Sequence, residues 1–61
     1  SKNCKLIIDY IKKNSNTNRK RLFIELNKNG IDKKLILHDL KWLIQEGLIR
    51  EFSNGLLLIN H

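Results

Sequence analysis

The spacing of apolar residues predicts three amphipathic helices, within residues 1–13, 17–28 and 32–47. In each stretch the apolar residues recur three or four positions apart, so they lie on one face of a helix. The predicted buried faces are Cys4, Ile7, Ile8 and Ile11, widened by Leu6 and Tyr10; Leu22 and Leu26, flanked by Phe23; and Ile36, Leu40 and Leu43. Three faces of this kind can pack around one small core.

The ends of the helices are marked by residues with known capping chemistry. Asp32 is expected to cap the third helix, because its carboxylate can accept from the free amides of the first turn. Gly47 is expected to end that helix, since glycine takes the left-handed conformation at little cost. Thr17 or Asn18 can cap the second helix in the same way as Asp32.

After Gly47 the pattern changes to one typical of a β-hairpin. Two β-favouring runs, at 48–52 and 56–59, flank an Asn-Gly pair, which favours a two-residue type I′ turn. In that register Phe52 faces Leu57, and Arg50 faces Ile59. The side chains expected to cover the helices are Leu48, Phe52, Leu57 and Ile59, and those expected to point away are Leu56 and Leu58.

Charge adds a second pattern to the hydrophobic one. The net charge is +6, and all the basic residues except Arg50 precede Trp42. This asymmetry indicates a basic face, for which a polyanion such as nucleic acid is the natural partner. The alternative is a composition rich in Lys, Asn and Ile without any partner. Sixty-one residues are expected to form one small domain, either alone or as a fragment of a longer protein.

Several function classes are not expected. Cys4 is the only cysteine, so no intrachain disulfide can form, and it is interpreted as a core residue in a reducing compartment, cytoplasmic or nuclear. No apolar run is long enough to span a bilayer. His38 and His61 do not make a metal-ligand set. No phosphate-binding glycine loop or acid–base pair is apparent, so neither an enzyme, a cofactor nor a small-molecule substrate is expected.

The chain resembles the winged helix-turn-helix DNA-binding family. The resemblance rests on Gly30-Ile31-Asp32, on the apolar positions of the third helix, and on Glu46-Gly47-Leu48-Ile49. It implies a mainly α fold with a small β-hairpin, in which three helices are followed by a two-stranded wing. It also implies binding of duplex DNA through the third helix in the major groove, in transcription regulation or DNA replication.

The resemblance also assigns candidate DNA-binding residues by position. Those on the third helix are Lys33, Lys34, Leu37, His38 and Lys41; those flanking it are Arg19, Lys20 and Arg21; and Arg50 is the only cation of the wing. The run at the start of the second helix opposes the helix dipole unless an anion is bound there. Its alternative interpretation is a solvated charged surface.

One group of residues favours a different function. Leu35, Trp42 and Ile44 lie off the main stripe and make the third helix apolar nearly all round, which indicates burial on more than one side. Trp42 either completes the core against the first helix or anchors an interface, where tryptophan is enriched. The alternative function is therefore a protein-interaction module that forms a homodimer or joins a larger assembly.

Overall fold

The computed structural model describes residues 2–60; Ser1, predicted to start the first helix, and His61 lie outside them. The elements in chain order are α1 (Lys2–Lys13), α2 (Arg19–Lys28), α3 (Lys33–Gln45), β1 (Ile49–Glu51) and β2 (Leu57–Ile59). The predicted fold class, mainly α with three helices followed by a hairpin, is confirmed. Within residues 2–60, no helix has both the length and the apolar content that crossing a membrane requires.

The helices and the hairpin share one apolar core. The predicted stripes are confirmed, and the buried apolar side chains are Cys4, Ile7, Ile11, Leu22, Leu26, Ile36, Leu40, Leu43, Ile49 and Leu57. Ile8, Tyr10 and Phe23 pack at its margin. The prediction for Leu6 is wrong, because 39% of this residue is exposed. Because each residue advances about 100° around a helix, Leu6 lies about 150° from the centre of the buried face of α1.

The two turns that follow α2 and α3 have the same backbone geometry. After α3, Gly47 has φ 79°, its N–H donates to the Ile44 carbonyl at 3.0 Å, and the Leu48 N–H donates to the Leu43 carbonyl at 2.9 Å. This pair of hydrogen bonds is a Schellman motif. After α2, Gly30 has φ 87°. The N–H groups of Gly30 and of the residue after it donate the equivalent pair of hydrogen bonds to carbonyls in the last turn of α2. Both helices therefore end by satisfying their last carbonyls within the backbone.

The starts of α2 and α3 are capped by short polar side chains. Asn18 accepts from the Arg21 N–H at 2.8 Å, and Asp32 accepts from the Lys34 N–H at 2.8 Å, which confirms both as N-caps. Thr17 precedes the cap, so the second helix starts two residues later than predicted. The Thr17 hydroxyl is buried and donates to the Asn14 carbonyl.

The hairpin register differs by one residue from the predicted one. The strands pair Ile49 with Ile59, Arg50 with Leu58, and Glu51 with Leu57. The loop consists of three residues, 53–55, and not of the predicted two-residue turn. The Phe52 N–H donates to the Leu56 carbonyl at 2.9 Å, and Gly55 supplies the left-handed residue at φ 89°. A three-residue loop with this left-handed position is the next most common hairpin connection.

This shift turns β1 over relative to the prediction. Ile49 is 1% exposed and enters the core, whereas Leu48 and Phe52, predicted to face inward, are 43% and 41% exposed. The physical reason lies with Arg50, which shares a face with these two residues because successive side chains alternate along a strand. The predicted register would have turned the Arg50 guanidinium toward the core, and burying an unpaired charge is costly.

Further hydrogen bonds hold the hairpin against the helices. Leu56 forms an isolated antiparallel bridge with Asn18, and the Leu57 N–H donates to the Thr17 carbonyl at 2.8 Å. The Asn60 side chain donates to the Gly47 carbonyl at 2.8 Å, at the end of α3. The hairpin is thus attached both to the start of α2 and to the end of α3.

The observed register predicts an unequal response to two neighbouring substitutions. Ile49→Val removes a single methylene from a side chain in the core and should lower the free energy of unfolding by about 1 kcal/mol. Leu48→Ala removes more atoms from an exposed side chain and should cost less than Ile49→Val. Urea unfolding followed by far-UV circular dichroism measures both. The opposite order would support the two-residue turn.

Candidate functional site

The outer surface of α3 carries one continuous polar stripe. Lys34, His38, Lys41 and Gln45 are spaced i, i+4, i+7 and i+11, and all four are exposed. This spacing places them on one face of the helix, away from the buried stripe. No acidic residue belongs to the stripe. The predicted candidates Lys34, His38 and Lys41 are therefore brought together on α3.

Gln45 is a member of this stripe that the sequence reasoning missed. Its amide offers both a donor and an acceptor, which is the combination that can contact an adenine edge. The signal that could have found it is its spacing, three turns after Lys34 on the same face. Gln45 lies at the last position of α3, so its side chain extends the stripe to the end of the helix.

The start of α3 is already capped by a carboxylate. Asp32 uses its side chain to accept from the Lys34 backbone, so part of the anion-binding capacity of this helix end is occupied. Lys33 and Lys34 are both exposed in the same turn, directly after the Asp32 cap. An anion at this end would therefore be held chiefly by lysine side chains rather than by backbone amides.

The three cations predicted at the start of α2 do not share one environment. The Arg19 guanidinium makes two hydrogen bonds to the Glu51 carboxylate of β1, at 3.1 Å from Nε and 2.8 Å from the terminal nitrogen. This bidentate pair compensates the charge of Arg19 and ties α2 to the hairpin. Lys20 and Arg21 are exposed.

The fold also brings the starts of two helices to one groove. Arg19 and Lys20 from α2 and Lys33 from α3 line the same open groove, together with residues of the outer side of α2. These three predicted residues are therefore neighbours in space. Arg50, the remaining predicted cation, lies on the outward face of the hairpin, where its guanidinium is 5.8 Å from the centre of the Phe52 ring.

The apolar residues predicted as a second interface are divided by the structure. Leu35 and Trp42 are 52% and 47% exposed, and their i, i+7 spacing puts them on one face of α3, two turns apart, next to the polar stripe. Of the two alternatives for Trp42, completion of the core is therefore wrong. Ile44 packs at the margin of the core, and Leu37, predicted to face a partner, is half-buried. Leu37 and Ile44 share a separate flank of α3.

Comparison with known proteins finds no significant match to this chain. No protein-family model matches the chain, and neither the curated proteins nor the solved structures include one with significant similarity to it.

The ion pair between Arg19 and Glu51 should make a small, measurable contribution to stability. A double-mutant cycle with Arg19→Ala and Glu51→Ala is expected to give a coupling of about 0.5 kcal/mol, because both side chains are partly exposed. Urea unfolding of the four proteins measures it. The coupling should shrink in high salt, since exposed charges are screened. A coupling unchanged by salt would contradict an electrostatic contact.

Proposed function

We propose that this chain is a winged helix-turn-helix domain that binds duplex DNA inside the cell, in transcription regulation or DNA replication. The observation that carries the proposal is the exposed polar stripe on α3, which contains Lys34, His38, Lys41 and Gln45 and no acidic residue. The helix presents this stripe because its opposite face is held in the core.

The dimensions of α3 suit the major groove. A helix with its side chains is about 10–12 Å wide, and the groove is about 12 Å wide. Lys34 and Lys41 are seven residues apart, which corresponds to about 10 Å along the helix axis. Both lysines can donate to guanine O6 and N7 or to phosphate oxygens, and Gln45 can make paired hydrogen bonds with adenine. His38 lies between the lysines as a further polar contact.

Contacts to phosphate would supply most of the affinity. The exposed cations available for this role are Lys20, Arg21, Lys33, Lys34 and Lys41. Cations at the start of α2 are unfavourable beside the positive end of the helix dipole, and a bound phosphate would offset that cost. Arg19 is not counted, because Glu51 already compensates its charge.

The proposal predicts a steep dependence of binding on salt. Five phosphate contacts correspond to a slope of log K against log salt of about −4 to −5. Lys34→Ala and Lys41→Ala should each weaken binding and make the slope shallower by about 1, because each removes one phosphate neutralisation. Fluorescence anisotropy with a labelled mixed-sequence duplex, measured over a range of salt concentrations, gives both quantities.

A matched control variant distinguishes binding at a specific site from attraction by the net charge of the protein. Lys12→Ala removes the same charge from an exposed position in the last turn of α1, outside the stripe, and should leave the slope unchanged. The proposal fails if the duplex does not bind at low salt, if the slope is flat, or if Lys12→Ala weakens binding as much as Lys41→Ala does.

A second candidate function is self-association through α3. The observation in its favour is the exposed pair Leu35 and Trp42, since large apolar side chains on one surface commonly mark interaction sites. Around the helix axis, Lys41 lies on one side of Trp42 and Glu46 lies on the other. A parallel pair of α3 helices would bring Lys41 against the partner's Glu46, as charged pairs do beside the seam of a coiled coil.

Self-association predicts a concentration-dependent mass. Sedimentation equilibrium should show dimers at high concentration, and Trp42→Ala should return the protein to a monomer, because the substitution removes the larger of the two apolar contacts. Trp42 is not among the buried core residues, so far-UV circular dichroism should remain unaltered. A monomer throughout the concentration range would eliminate this candidate.

A further inference from the structure

An open groove runs along the outer side of α2 and reaches the start of α3. Its volume is about 760 Å³, which lies in the range of ligand sites in proteins. Seven residues line it: Arg19, Lys20, Phe23, Ile24, Asn27, Lys28 and Lys33. Only Arg19, Lys20 and Lys33 belong to the candidates for DNA contact.

The chemistry of the groove is divided between an apolar floor and a basic rim. Phe23 is half-buried at the margin of the core, and Ile24 is 52% exposed. Lys20, Lys28 and Lys33 surround these side chains, and no lining residue is acidic. Arg19, fixed by Glu51, adds a positioned guanidinium at one end. A complementary ligand therefore carries negative charge around an apolar centre.

We propose that this groove binds an acidic amphipathic helix of a partner protein. The apolar side chains of that helix would contact Phe23 and Ile24, and its carboxylates would lie against the lysines of the rim. Docking of an amphipathic helix into a groove is a common mode of peptide recognition. Charge complementarity selects the partner, since a basic or neutral helix would leave the lysines facing like charge or no charge.

The geometry of α2 sets the size of the partner segment. Lys20, Ile24 and Lys28 are spaced i, i+4 and i+8 and lie along one line, about 12 Å from end to end. This length matches a helical segment of about eight residues.

The apolar floor distinguishes this partner from a nucleic acid. Duplex phosphates could satisfy the lysines, but they would leave Ile24 exposed to water. Apolar anchors at the centre of a charged rim are typical of protein interfaces, in which a few buried side chains carry most of the affinity. Ile24 and Lys28 are absent from the proposed DNA contacts, so they report on the groove alone.

The test uses the full chain and a designed probe. The probe is a fluorescein-labelled helical peptide of about twelve residues, three turns long, with Leu at i, i+4 and i+7 and Glu at the flanking positions. A second peptide has the same composition in an order that destroys the apolar stripe. Fluorescence anisotropy should show that the ordered peptide binds and that the reordered peptide binds at least several-fold more weakly.

Two substitutions should weaken binding of the ordered peptide. Ile24→Ser should weaken it about tenfold, because it removes an apolar contact that becomes buried in the complex. Lys28→Ala should weaken it a few-fold and make its salt dependence shallower. Leu58→Ser is the matched control, since it changes an exposed apolar side chain outside the groove and should have no effect.

Clear outcomes would overturn the proposal. They are equal binding of the two peptides, no binding of either, or binding that is insensitive to Ile24→Ser. If Ile24→Ser weakens the binding of duplex DNA as much as it weakens the binding of the peptide, the groove belongs to a nucleic-acid surface instead. Lys41→Ala should weaken the binding of DNA but not the binding of the peptide. Failure of the DNA proposal and failure of the groove proposal are therefore separate results.

Discussion

Burial of one stripe of α3 is the interaction on which the rest of the fold depends. Ile36, Leu40 and Leu43 are almost completely buried, and α3 contacts α1, α2 and β1. A chain of this size has little other apolar area with which to offset the entropy of folding. Because that stripe fixes the rotation of α3, it also determines which residues face outward. The polar stripe from Lys34 to Gln45 is therefore a consequence of how the core is packed.

The two Schellman turns set the directions in which the chain leaves α2 and α3, and a side chain supports the second turn, since Asn60 donates to the Gly47 carbonyl. Gly30 and Gly47 both take left-handed conformations, and a Cβ at either position would meet no atom within 4 Å. Their requirement for glycine is thus one of backbone conformation, not of space. The turn at Gly30 thus connects α2 to α3, and the turn at Gly47 connects α3 to the hairpin.

The sequence predicted the helices and their caps well, because apolar periodicity and capping act over a few residues. The Asn-Gly pair predicts the wrong hairpin register, because the two-residue turn that it favours would point Arg50 toward the core. The polar stripe of α3 followed from spacing, apart from Gln45. The pairing of Arg19 with Glu51 could not be predicted, since 32 residues separate them and only the folded hairpin brings them together. Likewise, periodicity could not decide whether Trp42 is buried, because that depends on which elements cover its side of α3.

Because Arg19 and Glu51 form an ion pair, the structure of this part of the domain depends on ionic strength. The pair joins the start of α2 to the hairpin, and Arg19 also lines the groove. Salt that screens the pair would weaken that link and would release a guanidinium to the groove, while also screening the lysines around it. Added salt therefore acts on the shape and the charge of the same end of the molecule at once. For a ligand bound there, added salt would change both the geometry of the site and the electrostatic attraction to it.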